Sequence, residues 1–410
     1  MHYHRALPLT ERGQKMSKHI ITDKTTGEKK CTCFKRCGGC QLDMPYKQQL
    51  EWKQSKADRM LSGFCRVEPI IPMQYPYNYR NKVQTVYRIS GSGKIISGVY
   101  QSSTGTLTAV DDCMIEDKTA AGIVSELKKL FVSFRIFPYN EKTGRGLLRH
   151  TLIRTAKSTG QIMVVLVMAS PVFPSKKNFV NALLRSCPGI TTVVRNINPD
   201  GMPLTLGGRS EVLYGRGTIV DELCGCKFII SPESFYQVNP MQTRKLYEAA
   251  VNSADIKEGT RVIDAYCGVG TIGMICARRG ASVTAVESNP NAVRDAIANA
   301  KLNKLSNIRF HNADATHFLC ELAQNGETAD VVILDPPRAG STPGFIEAVG
   351  KLSPESVVYV SCRIETLERD IKLFSKQGYR AVQVQPVDMF PHTTGIENTV
   401  LLKKRKKGEN

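Results

Sequence analysis

From about residue 231 to the C-terminus, short apolar runs alternate with helix-like segments. RVIDAY, ASVTAVE, IRFHNAD, ADVVILDPP and SVVYVSC are each followed by a helix or a turn, and NAVRDAIANAKLNKL and TLERDIKLF are the clearest helices. No other feature constrains the chain as much. Strands joined in series by helical crossovers must run parallel in an open sheet with helices on both faces. Two more strand-like runs, YRAVQVQP and NTVLLKK, close the chain. Residues 231–410 are therefore expected to form an α/β, Rossmann-like domain with a mostly parallel, doubly wound sheet.

The preceding part reads differently. Residues 1–30 are polar, charged and aperiodic, which suggests a flexible lead. Four cysteines and two glycines crowd into CTCFKRCGGC at 31–40, a ligand cluster rather than an element, and residues 44–61 have helical periodicity. From about 80 to 230, runs such as VQTVYRI, QIMVVLVMAS and CKFIIS are separated by Gly, Ser, Pro and Asn, so an antiparallel β region with a few helices is expected there, within a β-rich domain over 31–230. Residues 1–230 hold 34 basic against 17 acidic side chains and residues 231–410 hold 22 against 20, so nearly all of the +19 net charge lies in the first part. A polyanion such as nucleic acid is the natural partner of that part. No run of about 18 uncharged apolar residues is present, which excludes a helical membrane span. Thirteen cysteines without a secretory signal point to reduced thiols, metal ligands or a catalytic thiolate in the cytoplasm.

Chemistry gathers where the C-terminal strands end. Gly268, Gly270 and Gly273 satisfy G-x-G-x-x-G, and Glu287 closes the next strand. Such glycines let a ligand approach the backbone at a helix start while a carboxylate takes ribose hydroxyls, which suits NAD, FAD or S-adenosylmethionine alike. Successive strands deliver Asp264 and Tyr266, Glu287, Asp314, Asp335 and Cys362 to the same edge. Two prolines after Asp335, in DPPR, stiffen a loop at the rim. At Cys362 a strand meets a helix, where the helix amides and Arg363 are expected to lower the thiol pKa. If the last strand runs antiparallel, Glu397 at its start falls on this edge too. In the cysteine cluster, Cys31-x5-Cys37-x2-Cys40 supplies three thiolates and needs a fourth, and spacing leaves open a zinc site completed by Cys33.

Taken in order, the cysteine cluster, SFYQVNP at 234–240, DAYCGVGT, DPPRAG, YVSCRIETLERD and HTTGIEN resemble the RNA uracil-5 methyltransferases that act on 23S ribosomal RNA or on tRNA. The likeness extends over most of the chain from about residue 31. It implies that Gln237, Tyr266, Thr271, Glu287, Asp314 and Asp335, with Gly268 and Gly270, bind S-adenosylmethionine. It makes Cys362 the nucleophile and Glu397 the general base. It also implies a [4Fe-4S] cluster on Cys31, Cys37, Cys40 and Cys113, structural rather than redox in role. Tyr236 and Tyr266 stand where the family often has Phe. The family's additional N-terminal β-barrel RNA-binding module is not evident in the short lead. Some tRNA enzymes of the family lack the cysteine cluster, so its presence favours 23S rRNA as substrate, with a base flipped out of the folded RNA. An iron-sulfur oxidoreductase using NAD or FAD would leave DPPR, Cys362 and the basic first part without a role. A non-catalytic RNA-binding protein would show erosion at motif positions that stand intact here.

Overall fold

The computed structural model describes residues 19–101, 104–199 and 205–406. The expected flexible lead falls outside these up to residue 18. Its remainder is ordered differently from that expectation, since Ile20–Thr22 pairs antiparallel with Lys29–Cys31. A single helical turn, Phe34–Cys37, and helix α1, Tyr46–Leu61, follow.

The β-rich part is a seven-stranded sheet built from β1 (Lys82–Ile89), β2 (Ile95–Tyr100), β3 (Leu107–Ala109), β4 (Leu148–Thr155), β5 (Ile162–Met168), β6 (Thr192–Ile197) and β7 (Arg209–Tyr214), with helices α2 (Lys118–Ser133) and α3 (Lys176–Ser186). Its order is β3-β2-β1-β4-β5-β6-β7. Neighbours are antiparallel as expected except β5 and β6, which depart from that expectation because the α3 crossover makes them parallel. Every residue of β5 is buried, because both faces of the sheet are covered. Val164, Leu166 and Met168 pack with α2 and α3, whereas Met163, Val165 and Val167 belong to the core of the following sheet.

That second sheet confirms the α/β expectation. Its strands are β8 (Arg261–Ala265), β9 (Ser282–Glu287), β10 (Ile308–Asn312), β11 (Val331–Leu334), β12 (Ser356–Ser361), β13 (Tyr379–Val387) and β14 (Glu397–Lys404), in the order β10-β9-β8-β11-β12-β14-β13. The first five run parallel, and β14 lies antiparallel between β12 and β13. The helices are α4 (Pro240–Ser253), α5 (Thr271–Arg278), α6 (Pro290–Leu302), α7 (Ala315–Gln324), α8 (Pro343–Leu352) and α9 (Ile364–Lys376). Three of them start by the same local rule. Asn239, Asn289 and Thr342 cap α4, α6 and α8 by accepting backbone N–H bonds, and a proline occupies the first turn, where no donor is needed. The chain before residue 80 also reaches this sheet. Ala57 and Leu61 of α1 join its core, and Val67 and Ile71 bridge in parallel to Val384 and Val387. Among the described residues no helix is long and apolar enough to cross a membrane.

Candidate active site

The crossovers change direction between β8 and β11, and open sheets bind ligands at such a crevice. The loop after β8 occupies it. A Cβ on Gly270 (φ +83°) would meet Met274 Cε at 2.7 Å and Phe310 Cε1 at 2.9 Å, and one on Gly273 would meet Asp264 Oδ2 at 2.7 Å. That oxygen accepts the Gly273 N–H at 2.7 Å, so Asp264 braces the inner side of the turn. Burial pushes the Asp264 carboxyl up to about 7. On the outer side a Cβ at Gly268 would meet nothing within 4 Å, which leaves a cradle for a ligand. Glu287 flanks that cradle, accepting N–H bonds from Gly268 at 3.1 Å and Asn289 at 2.8 Å.

The other residues expected to hold the cofactor surround this loop. Asp314 caps α7 by accepting the His317 N–H at 3.0 Å. Tyr266, in the left-handed region at φ +62°, lays its ring against Phe345 with centroids 5.4 Å apart. Thr271 opens α5, and its hydroxyl and the Gln237 side chain both interact with the hydroxyl of buried Tyr247. Sequence reasoning missed Tyr247. Helical spacing with Thr243, Leu246 and Ala250 marks it as a core residue, and nothing local signals that its hydroxyl faces the site.

The expected nucleophile and base come together because β14 pairs with β12. Ser361 lies opposite Asn398, so Cys362 just beyond one strand and Glu397 at the start of the other are neighbours. Asp335, at the end of β11, and Arg338 complete the group, since both act electrostatically on Cys362 and on Glu397. Burial, with Asp335 adding to it, pushes Glu397 up to about 8, and burial pushes Asp335 up to about 7. The expected low thiol pKa is not found. Burial and the carboxylates of Glu397 and Asp335 raise the Cys362 pKa, and the opposing cation is Arg338. Arg363 instead turns to Glu365, with 3.6 Å between Nε and Oε2. The loop carrying Arg338 is pinned from α9. Arg369 donates to the carbonyls of Ala339 and Ser341, and Asp370 accepts the Ser341 N–H at 2.8 Å.

The four cysteines expected to bind a cluster lie apart from this centre. Cys31, Cys40 and Cys113 join a small core with Met73, Tyr79, Met114 and Ile115, and Cys37 interacts with both Cys31 and Cys40. Cys40 also faces Cys113, and burial raises the pKa of both. Cys33 is fully buried, interacts with Cys31, and also lies 3.3 Å from His19 Nδ1 and 3.7 Å from Arg36. Among the described residues no three His, Cys, Asp or Glu side chains close around a single metal ion. A set of soft thiolate donors such as this suits zinc or an iron–sulfur group by its chemistry. All thirteen cysteines are free of disulfides.

A basic rim borders the 231–239 loop. Arg154 is buried and donates to the Ser234 carbonyl, but its Nε has no hydrogen-bond partner. Burial, helped by Arg154 and Arg80, lowers the Lys82 ammonium to about 8. Beside them Phe235 is 72% exposed, against the usual preference of a large aromatic ring.

The chain is similar to several known proteins. Residues 224–405 match the family model described as tRNA (Uracil-5-)-methyltransferase. An uncharacterized RNA methyltransferase of Clostridium tetani is 39% identical over 390 residues, spanning 94% of this chain and 85% of that protein. Another, from Clostridium acetobutylicum, is 40% identical over 383 residues, spanning 91% and 83%. The crystal structure of Pyrococcus abyssi tRNA (uracil-54, C5)-methyltransferase in complex with S-adenosyl-L-homocysteine superposes with a TM-score of 0.73 and 26% identity, over 94% of this chain and 92% of that one.

Proposed function

This chain belongs to the RNA uracil-5 methyltransferase family, and on that premise we propose that it methylates carbon 5 of a uridine in 23S rRNA in the cytoplasm, with Cys362 as nucleophile and Glu397 as base. The observation that carries the assignment is the β12–β14 pairing, which sets a thiol and a carboxyl side by side next to Asp335 and the glycine loop. S-adenosylmethionine, seated by Gly268, Gly270, Thr271, Gln237, Tyr266, Glu287, Asp314 and Asp335, supplies an electrophilic methyl on a sulfonium. Cys362 adds as thiolate to carbon 6, and the electron pair of the 5,6 double bond becomes an enolate with carbanion character at carbon 5. That carbon takes the methyl as the sulfur departs with the C–S bonding pair. Glu397 then accepts the carbon-5 proton, the double bond re-forms, and Cys362 leaves with the pair that bound it to carbon 6. Burial favours the protonated forms of Glu397 and Asp335, and a cationic donor beside them would favour their ionised forms.

Residues 231–410 perform this chemistry and residues 31–230 hold the RNA. Lys82 takes backbone phosphate, and Phe235 offers a ring to a base. Cys31, Cys37, Cys40 and Cys113 hold a [4Fe-4S] cluster whose iron–sulfur bonds staple the N-terminal hairpin to residue 113. That centre favours 23S rRNA, through the family members that share it. A tRNA substrate is the second reading, favoured by the Pyrococcus abyssi enzyme that matches along nearly the whole chain. The deciding assay offers methyl-tritiated donor with unmodified 23S rRNA or tRNA transcripts, followed by nucleoside analysis. Label in 5-methyluridine from the 23S transcript is expected. Label from tRNA alone would replace the substrate, and no label from cluster-loaded protein would reject the function.

A further inference from the structure

Glu397 is the first residue of β14, and its partner is Val387, the last residue of β13. The hairpin loop 388–396 closes directly on this pair. If the loop loosens, the Glu397 pair is the first to fray. A carboxylate that must reach one substrate proton tolerates little displacement, since a misplacement of about 1 Å can cost about 100-fold. The support of this loop therefore bears on the final step of the reaction.

That support comes from the N-terminal region of the chain, and His392 is where it converges. This residue is 4% exposed and sits in the left-handed region at φ +69°, a conformation unfavourable for a non-glycine residue that needs surrounding contacts to hold it. Its N–H donates to Gln49 Oε1 at 2.8 Å. Its carbonyl accepts the N–H groups of Gln41 at 2.9 Å and Leu42 at 3.1 Å, the two residues that follow Cys40. Ring Nε2 lies 2.9 Å from the Pro76 carbonyl, which can only accept, so Nε2 carries the hydrogen. Nδ1, at 3.1 Å, then accepts from the Gln49 amide. Both ring nitrogens are thus used by the neutral form, in agreement with a pKa lowered mainly by burial. Tyr77 stacks on the ring at 5.3 Å. At the root of the loop, fully buried Lys53 and Asp388 form an ion pair that the Tyr46 hydroxyl joins at 2.6 Å.

Cys362 and the glycine loop hang on parallel strands of the second sheet. The approach to Glu397 is tied to α1 and to the turn that ends in Cys40. We propose that His392 is a positioning residue for Glu397, locked by Gln49 and by the Gln41–Leu42 backbone, so that the cysteine-bearing turn governs proton removal and product release rather than methyl transfer. This rests on the reading of Glu397 as the base.

The test follows methyl-tritiated donor into two fractions, a covalent protein–RNA adduct that survives denaturing electrophoresis and the released methylated RNA. His392→Gly keeps the left-handed backbone and loses the ring, and His392→Asn keeps both an αL-tolerant residue and an amide. Gln49→Leu removes the lock from α1. With His392→Gly and Gln49→Leu, adduct formation is expected to stay within about 3-fold of the parent while release falls about 10-fold or more, with partial rescue by His392→Asn. A common fall of adduct and product, or unchanged release, overturns the proposal. Glu397→Gln run in parallel separates the two levels. If it accumulates adduct and the His392 variants do not, the positioning role fails alone. Free turnover by Glu397→Gln rejects the base assignment itself.

Discussion

The Glu397 carboxylate disfavours ionisation of Cys362, and burial disfavours ionisation of Glu397 itself, with consequences for stability as well as chemistry. The folded protein holds the Glu397 proton up to about 8, whereas the unfolded chain releases it near the ordinary carboxylate value of 4.5. Between those values the native state binds more protons than the unfolded state, so stability falls as pH rises through the window. Glu397→Gln carries no such charge. Its melting temperature should match or exceed the parent's, with a gap that widens by a few degrees between pH 5 and 8.5; scanning calorimetry of the donor-free protein checks this, and a constant gap would deny the raised pKa. On the proposed role of Cys362 as nucleophile, Cys362→Ala should lower 5-methyluridine formation by about 10⁴-fold or more while donor affinity stays within about 3-fold, because the thiol is no part of the glycine cradle. Isothermal titration alongside the tritium assay separates the two quantities. That both residues lie at one edge of the sheet was expected from the sequence if the last strand ran antiparallel, but the sign of the thiol shift was not. A helix start and Arg363 suggested a lowered pKa, whereas burial and two carboxylates prevail, and the compensating cation is Arg338.

The secondary-structure elements follow local chemistry closely. Asn, Thr and Pro mark the starts of α4, α6 and α8, and the G-x-G-x-x-G run marks the turn into α5. Gly270 is the stringent position of that turn. A methyl there would press on Met274 and Phe310 and would be strained at φ +83°. Gly270→Ala should lose about 1–3 kcal/mol of stability in chemical denaturation and weaken donor binding. Gly268→Ala, with open space around its Cβ, should lose less stability and just as much donor affinity. Asn239 has a double role that the sequence did not disclose. It caps α4 and also donates to the Met389 carbonyl at 2.8 Å, in the loop before Glu397. The cap was legible from Asn-Pro, whereas the second contact joins residues 150 positions apart. The β5–β6 pair was likewise hidden, because a continuous apolar run such as QIMVVLVMAS does not show which direction its neighbour takes.

Across the whole molecule the two sheets share a core. Leu152, Met163, Val165 and Val194 of the first sheet pack in one cluster with Val262, Val283 and Val358 of the second. Heating should therefore give a single calorimetric transition, and residues 231–410 expressed alone should not reach the native near-UV signal, since their partners in that cluster would be missing. RNA binding should carry the charge asymmetry of the chain. Lys82→Ala is expected to weaken binding for all sequences and to reduce the slope of log K against log salt by about 1, measured by filter binding across a salt series. The alternating βα pattern, the glycine turn, the order of the motifs and the surplus of positive charge were all legible in sequence, because each depends on neighbours along the chain or on composition. Folding alone set β14 antiparallel beside β12, turned the Tyr247 hydroxyl toward Gln237 and Thr271, and tied the loop before Glu397 to the turn after Cys40. These features depend on which surfaces meet after burial and on how water exclusion shifts ionisation, and both are properties of residues far apart in the chain.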